Sequence, residues 1–211
     1  MAQMIFDTIV VGALGVNCFI LGCEATGEGI VVDPGDEVDQ ILATVAQHGL
    51  KLTAIVNTHG HFDHIGGNGA LKRHNAAPLY IHQADAPMLG RVAQVAGMYG
   101  LPGENSPEAD GFLEDGMLLR FGNCQLQVIH TPGHTPGGCC LYLEQEQKLI
   151  SGDTLFADGV GRTDLPGGSH DQLVRSIRDR LFCLPDQVQV YPGHGPATTI
   201  GHEKRHNPYL D

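Results

Sequence analysis

The sequence predicts an α+β protein in which helices cover sheets within one layered domain that spans residues 1–211. Short apolar runs typical of strands occur in both halves of the chain, and amphipathic helical segments lie between and after them. The composition agrees, because 42% hydrophobic and 17% charged residues are typical of a globular chain. The 29 glycines and 12 prolines predict many turns and short elements.

The N-terminal half predicts five strands and two helices. The strands are "MIFDTIVVG", "NCFILGC", "GIVVDPGD", "LTAIVNT" and "PLYIH". The segment "DEVDQILATVAQHGL" predicts a helix, because apolar residues recur in it at i, i+3, i+4 and i+7. We expect Asp36 to cap this helix and Gly49 to end it. A second helix is expected around residues 65–75.

The C-terminal half begins with a long loop over residues 97–111, which is either a substrate-facing lid or a plain surface excursion. A hairpin follows in "MLLRFGNCQLQVIHTPGH", and then strands in "GCCLYLE", "KLISGD" and "VQVYPGH". The segment "SHDQLVRSIRDRLF" predicts a helix that starts with a capping box of Ser169 and Gln172. A short terminal helix is expected at "HEKRHN".

Charge and composition exclude several classes of function. The net charge is 12 − 24 = −12, which argues against a nucleic-acid surface and against binding to an anionic membrane. No run of 18 apolar residues and no secretory leader is evident, so we expect a cytoplasmic protein. The six cysteines form no C-x-x-C pair and are expected to be free thiols, most of them buried. The oligomeric state cannot be inferred from these features.

Metal-ligand side chains recur where apolar strands end. The run "AIVNTHGHFDH" ends in a cluster of histidines and an aspartate, and three later strands each end in Gly or Pro and then in His or Asp. Strand ends on a rigid scaffold are where functional side chains concentrate. The residues of this pattern are His59, His61, Asp63, His64, His134, Asp153 and His194.

Five imidazoles and two carboxylates are too many ligands for one tetrahedral zinc ion, which takes four. They suit two divalent metal ions that share one carboxylate and keep a position open for water. Nitrogen and oxygen donors without a thiolate suit zinc, iron or manganese, and we expect zinc.

The same segments resemble those of the metallo-β-lactamase superfamily, and the resemblance covers nearly the whole chain. "THGHFDH" looks like its signature, and "TPGHTPGG", "SGDTLF" and "YPGHG" match its later ligand segments in order. The resemblance implies a four-layered αββα sandwich. It implies His59, His61 and His134 on a first metal ion. For a second ion it implies Asp63, His64 and His194, with Asp153 bridging the two.

Within the superfamily the chain is similar to the glyoxalase II (hydroxyacylglutathione hydrolase) group in a short form. "GDTLFADGVGRTDLPGGS" and "GHEKRHNPYL" carry this likeness. Two features depart from that group. Only 211 − 194 = 17 residues follow His194, whereas glyoxalase II adds a helical domain that holds glutathione. In addition, Gly60 stands where that enzyme usually has a third histidine.

The expected reaction is hydrolysis of a thioester, either S-lactoylglutathione or a related acyl thioester, by a hydroxide that bridges the two metal ions. Asp63 and Asp153 are the expected catalytic residues. The sequence offers little sign of a general acid, which suits a thiolate leaving group with a parent pKa of about 8.5. Arg162, Thr58 and Thr135 are candidates for orienting the ligands or the substrate.

Two alternatives remain open on the sequence alone. A persulfide dioxygenase of the same superfamily would use one iron ion on His59, His134 and Asp153, and "GRTD" is similar to its segment. However, "YPGHGP" looks more like the hydrolases. A metal-storage or metal-sensing module would use the same ligands in a closed shell. A β-lactamase is disfavoured by the lack of a secretion signal, and a nuclease by the net charge.

Overall fold

The computed structural model describes residues 4–210, which cluster into two units. The first contains the chain up to Leu113 together with Arg120–Gln125, and the second contains Glu114–Leu119 and the chain from Leu126 onwards. The domain predicted over residues 1–211 therefore includes four residues, 1–3 and 211, that lie outside the described residues. That this whole span is one domain stays a prediction.

The first unit contains a six-stranded sheet in the order β1-β2-β3-β4-β5-β6. Its strands are β1 (Met4–Val11), β2 (Val16–Cys23), β3 (Glu28–Val32), β4 (Lys51–Val56), β5 (Leu79–His82) and β6 (Gly111–Leu113). Its helices are α1 (Val38–Gln47), α2 (Phe62–Ile65), α3 (Asn68–His74) and α4 (Val92–Met98), the last preceded by a 3₁₀ turn over Ala86–Arg91.

Strands β3, β4, β5 and β6 are parallel, whereas β1 and β2 pair in antiparallel fashion. Parallel strands are buried on both faces, which explains why Val31, Val32 and Ile55 lie in near-continuous apolar runs. Helix α1 packs its buried Ile41 and Val45 in the same core. Because β3, β4 and β5 run in one direction, the residues that follow them share one edge of this sheet.

The second unit contains most of a six-stranded sheet in the order β14-β13-β10-β9-β8-β7. Its strands are β7 (Leu118–Phe121), β8 (Cys124–His130), β9 (Cys139–Leu143), β10 (Lys148–Gly152), β13 (Gln189–Pro192) and β14 (Thr198–Thr199). A small ribbon pairs β11 (Leu155–Phe156) with β12 (Gly159–Val160). Helix α5 (His170–Ser176) continues into a π-helical turn over Ile177–Leu181, and α6 (Ile200–His206) comes last.

Strands β8, β10 and β13 point the same way, since β9 is antiparallel to both β8 and β10, and β13 is parallel to β10. Their carboxyl ends therefore meet at one edge of the second sheet. Helix α5 and the turn after it bury Leu173, Ile177 and Leu181 in a core with Leu149 and Val190. Ser169, at the start of α5, donates its N–H to the carbonyl of Gly133 at 2.7 Å. The packed helix thus anchors the segment that carries His134.

The predicted strands and helices are present with small shifts at their ends, but two local expectations are wrong. Asp36 does not cap α1: its carboxylate accepts from the adjacent Glu37 N–H, and Glu37 holds the N-cap position in a left-handed conformation. Ser169 holds the N-cap position of α5 but makes no capping hydrogen bond through its side chain. Gly49 ends α1 as predicted, with φ of 63°.

No helix within residues 4–210 is long and apolar enough to cross a membrane.

Candidate metal centre

Four of the predicted ligands lie together where β4 ends. His59 and His61 lie in the turn after the strand, and Asp63 and His64 lie in α2. The ring centroids of His59 and His64 are 4.1 Å apart, and those of His59 and His61 are 4.8 Å apart. Nε2 of His64 lies 3.8 Å from Oδ2 of Asp63. His59 and His64 are fully buried, whereas His61 and Asp63 are partly exposed.

Asp33, which follows β3, positions this cluster of predicted ligands through hydrogen bonds with Thr58 and His64. The fully buried carboxylate accepts from Thr58 N–H at 2.8 Å through Oδ1. Its Oδ2 accepts from the Thr58 hydroxyl at 2.6 Å and from Nδ1 of His64 at 3.0 Å. The backbone of Asp33 is left-handed, with φ of 52°, a conformation that Asp and Asn adopt more readily than most residues. Asp33 thus fixes a predicted ligand directly.

The hydrogen bonds also determine which nitrogen of each imidazole carries the proton. The Thr58 hydroxyl has a single proton, which it donates to Asp33. It therefore accepts from Nδ1 of His59, 3.1 Å away. Nδ1 is engaged in both His59 and His64, so Nε2 is the nitrogen that a metal ion would bind. In metal sites, the ring nitrogen of a ligand histidine that does not bind the metal usually donates its N–H to an oxygen acceptor.

Gly60 lies between two predicted ligands because no side chain fits there. A Cβ at this position would lie 2.7 Å from Sδ of Met88 and 2.9 Å from its Cβ. The Gly60 N–H donates to the buried carboxylate of Asp85 at 2.9 Å, which holds the turn against the segment after β5. The absence of the histidine usual in glyoxalase II thus has a steric reason in this chain.

The second unit gathers the other three predicted ligands where β8, β10 and β13 end. Oδ2 of Asp153 lies 3.6 Å from Nε2 of His134 and 3.7 Å from Nε2 of His194. His134 is buried and His194 is more exposed. One carboxylate oxygen therefore lies near the Nε2 atoms of two predicted ligands.

Gly161 allows His134 and Asp153 to approach each other. A Cβ on Gly161 would lie 1.9 Å from the main-chain oxygen of Asp153 and 3.0 Å from Nδ1 of His134. Nδ1 of His134 donates to the carbonyl of Arg162 at 2.7 Å, which again directs Nε2 towards the carboxylate. Thr135 is fully buried beside His134, and its carbonyl accepts from Gly133 N–H.

The side chain of Arg162 points elsewhere. Its guanidinium forms two hydrogen bonds of 2.8 Å with Asp164, and this pair is exposed. The guanidinium lowers the pKa of the Asp164 carboxyl to about 2. The main-chain carbonyl of Arg162 accepts from a predicted ligand, His134, and no sequence pattern reveals this contact.

Arg162→Ala is expected to leave the metal content of the protein unchanged, because alanine keeps the carbonyl that accepts from His134. We expect KM to rise if the guanidinium binds an anionic part of the substrate. Asp164→Ala is the matched control, since it breaks the same ion pair and keeps the guanidinium. Metal analysis and steady-state kinetics of both variants measure this. Loss of metal from Arg162→Ala would show that the side chain supports the site.

Two of the buried cysteines, Cys18 and Cys140, are poor metal ligands. All six lie in the described part of the chain as thiols rather than disulfides, and five are buried. Burial, and then the negative charge of Asp33, raises the pKa of Cys18. Burial raises the pKa of Cys140 to about 11. Both remain protonated at neutral pH, whereas metal ions bind the thiolate.

The donor groups suit metal ions in chemistry and spacing. The three His–Asp distances of 3.6–3.8 Å exceed a hydrogen bond of about 2.7–3.2 Å. Two ligands on one tetrahedral ion, with bonds near 2.1 Å, lie about 3.4 Å apart. The separations are therefore close to those of ligands on a shared ion, and bonds at Nδ1 orient the rings of His59, His64 and His134. Fold and donors together define a metal-binding protein with His and Asp ligands.

Sequence reasoning missed Asp33 and Asp85. Both follow parallel strands of the first sheet, β3 and β5, at the same edge as His59. A signal for Asp33 was available, because "GIVVDPGD" is one more apolar strand that ends in Asp, Pro and Gly. Asp85 had no such signal, since Gln83 and Ala84 separate it from β5 and no Gly or Pro marks the strand end.

The chain belongs to the metallo-β-lactamase superfamily, because the model of that family matches residues 11–202. The predicted fold class, the α+β fold of this superfamily with two main sheets, is confirmed. The family and the clusters of His and Asp side chains agree with the prediction of a metal-dependent hydrolase, without specifying its substrate.

Three similar proteins extend over nearly the whole chain. The hydroxyacylglutathione hydrolase GloC of Haemophilus influenzae is 35% identical and aligns over 99% of each chain. The crystal structure of the BLEG-1 B3 metallo-β-lactamase has a TM-score of 0.90 at 36% identity, with 98% of this chain and 99% of that chain covered. A di-iron-bound form of TTHA1623 has a TM-score of 0.89 at 39% identity, with 97% and 100% covered.

Proposed function

We propose that the protein is a binuclear metal-dependent hydrolase of acyl thioesters, a thioesterase of the glyoxalase II type. The observation that carries this proposal is the donor set: five imidazoles and two carboxylates, with no thiolate, in segments that follow strands of the two sheets. We propose that His59, His61 and His134 bind one ion, that Asp63, His64 and His194 bind the other, and that Asp153 bridges them. The family motif supports this grouping.

The bound ions would polarise the substrate carbonyl and supply a nucleophile from water at neutral pH. The residues of the chain hold these ions in place. Asp33, through Thr58 and His64, fixes two imidazoles in the tautomer that exposes Nε2. The Arg162 carbonyl does the same for His134. Asp63 and Asp153 contribute the negative charge that balances the ions.

We propose a thioester as the substrate class because its leaving group, a thiolate, needs no general acid. Hydrolysis breaks the bond between the acyl carbon and sulfur and forms a bond from that carbon to a water oxygen, which yields a carboxylate and a thiol. A thiolate of pKa about 8.5 leaves without a dedicated general acid, whereas an amine does not. The name of the Haemophilus relative, a hydroxyacylglutathione hydrolase, supports a thioester as the substrate. The di-iron-bound form of TTHA1623 supports iron as an alternative to zinc in such a site.

The test compares one acyl group on three leaving groups: a thioester, an oxygen ester and an amide. We expect kcat/KM for the thioester to exceed that for the amide by at least about 100-fold, which corresponds to about 2.7 kcal/mol in the barrier. Chelator-treated protein should be inactive and should recover with zinc, iron or manganese.

Two further assays separate this proposal from other functions. Nitrocefin tests β-lactam hydrolysis, the activity implied by the name of the BLEG-1 metallo-β-lactamase. Oxygen consumption with a persulfide tests the dioxygenase alternative. Faster turnover in either assay than with any thioester would overturn the proposal.

A further inference from the structure

A cavity of about 350 Å³ opens beside Asp63 in the first unit. Its walls come from the turn after β1, from α2 and α4, and from the loop that follows α4. Most of the wall is apolar, and its apolar side chains include Leu14, Phe62, Val92, Ala96 and Leu101. A mostly apolar wall with a few polar groups is typical of ligand pockets, and this volume lies at their lower end.

Residues 101–104 form one wall of the cavity, and this segment and its neighbours contact other parts of the first unit. Glu104 pairs with Arg73, with Nη1–Oε1 at 2.5 Å and Nη2–Oε2 at 2.9 Å. Ser106, two residues further on, donates its N–H to the carbonyl of Leu89. The Phe62 ring stacks on Tyr99, with centroids 5.2 Å apart. Residues 101–104, part of the segment predicted as a lid or a surface excursion, thus form a wall of the cavity beside a predicted ligand.

The charged side chains that line the cavity are all acidic. Asp36, Asp63 and Glu104 contribute carboxylates, and among the described residues that line the cavity there is no Lys, Arg or His. A bound metal ion would offset the charge of Asp63, and Arg73 pairs with Glu104, which leaves the carboxylate of Asp36. An anionic ligand group would therefore meet the like charge of Asp36, and no Lys, Arg or His in the described lining would pair with it. An uncharged aliphatic group would instead bury apolar surface against Leu14, Val92 and Leu101.

We propose that this cavity binds the acyl group of the substrate and selects an uncharged, aliphatic chain of several carbons. The proposal rests on the function proposed above and narrows its substrate class: it favours aliphatic acyl thioesters over those of lactate or of dicarboxylic acids. The position of the cavity supports it, because Asp63 joins the lining to the predicted metal ligands.

The test uses thioesters of N-acetylcysteamine, an uncharged thiol, so that the acyl group alone varies. We expect kcat/KM for the hexanoyl ester to exceed that for the acetyl ester by at least about 10-fold, since each buried CH₂ favours binding. We expect the pentanoyl ester to exceed the succinyl ester by about 10-fold or more because of the acidic lining. Equal or higher rates with acetyl and succinyl would overturn the proposal.

A charge placed in the wall should change this preference. Leu14→Lys is expected to raise the succinyl-to-pentanoyl ratio of kcat/KM by about 5-fold or more, because a cation then faces the cavity. Val10→Lys is the matched control: it adds the same charge at an exposed site on β1 that does not line the cavity. An equal change in both variants, or none in Leu14→Lys, would contradict the proposal.

A binding measurement separates this proposal from the function on which it rests. Methyl NMR spectra of the metal-loaded protein are recorded with hexanamide and with the anionic half-amide of adipic acid. We expect hexanamide to shift the methyl signals of Leu14, Val92 and Leu101 and the half-amide to leave them unchanged. That result supports the cavity even if no thioester is hydrolysed. Shifts with the half-amide only, or none with hexanamide, would overturn it.

Discussion

Asp153→Ala is expected to abolish hydrolysis and to lower the metal content at the same time. Oδ2 of Asp153 lies within 3.7 Å of Nε2 in both His134 and His194, so its removal takes one ligand from each of the two proposed ions. The loss of transition-state stabilisation by bound metal amounts to several kcal/mol, which predicts a fall in kcat/KM of about 10³-fold or more. Metal per chain and kcat/KM measured on the same preparation check this.

The matched control is Asp186→Ala, since Asp186 is an exposed aspartate of the second unit that pairs with Lys204 and Arg205. It should keep both the metal and the activity. An active Asp153→Ala variant with a full complement of metal would refute the bridging role. A variant that keeps its metal but is inactive would assign Asp153 a role in the reaction alone.

Asp33→Asn is expected to weaken metal binding by about 10- to 100-fold without replacing any ligand, because partners behind a ligand histidine typically have effects of this size. The change removes the charge that accepts from the Thr58 hydroxyl and from His64, and it presents an amide N–H₂ to one of them. We also expect the free energy of unfolding to fall by about 1–3 kcal/mol, because a buried donor loses its acceptor. Metal titration and urea unfolding measure the two effects.

Asp158→Asn provides the control for backbone conformation. Asp158 is also left-handed, with φ of 55°, but it is exposed and pairs with His202, which is not a predicted ligand. Asparagine is compatible with this conformation at both positions. An Asp33→Asn variant that binds metal as tightly as the unmodified protein would contradict the supporting role of Asp33.

Much of the fold was accessible from the sequence because the local signals agreed with one another. The run of β4 ends in the histidine cluster, and "KLISGD" and "VQVYPGH" end in Asp153 and His194, just as the parallel course of β10 and β13 requires. The period of two and the period of 3.6 residues predicted strands and helices because buried faces follow these periods. Gly49 ended α1 because a left-handed residue favours glycine.

The remaining features depend on contacts that no local pattern carries. Asp33 contacts His64 across 31 positions, and the strand-end signal at Asp33 does not reveal this partner. The tautomer of His134 depends on the main-chain carbonyl of Arg162, which any residue would supply. Helix α4 was not predicted, because "VAQVAGM" is short and lies between glycines. The cap expected from Asp36 failed because its carboxylate binds the nearest N–H instead.

The most direct test of the binuclear centre is the identity and amount of metal per chain in protein purified without chelators or added metal. We predict close to two equivalents in total, of zinc alone or of zinc with iron and manganese. One equivalent of iron alone, with oxygen consumption in the presence of a persulfide, would contradict the binuclear hydrolase and favour the mononuclear dioxygenase.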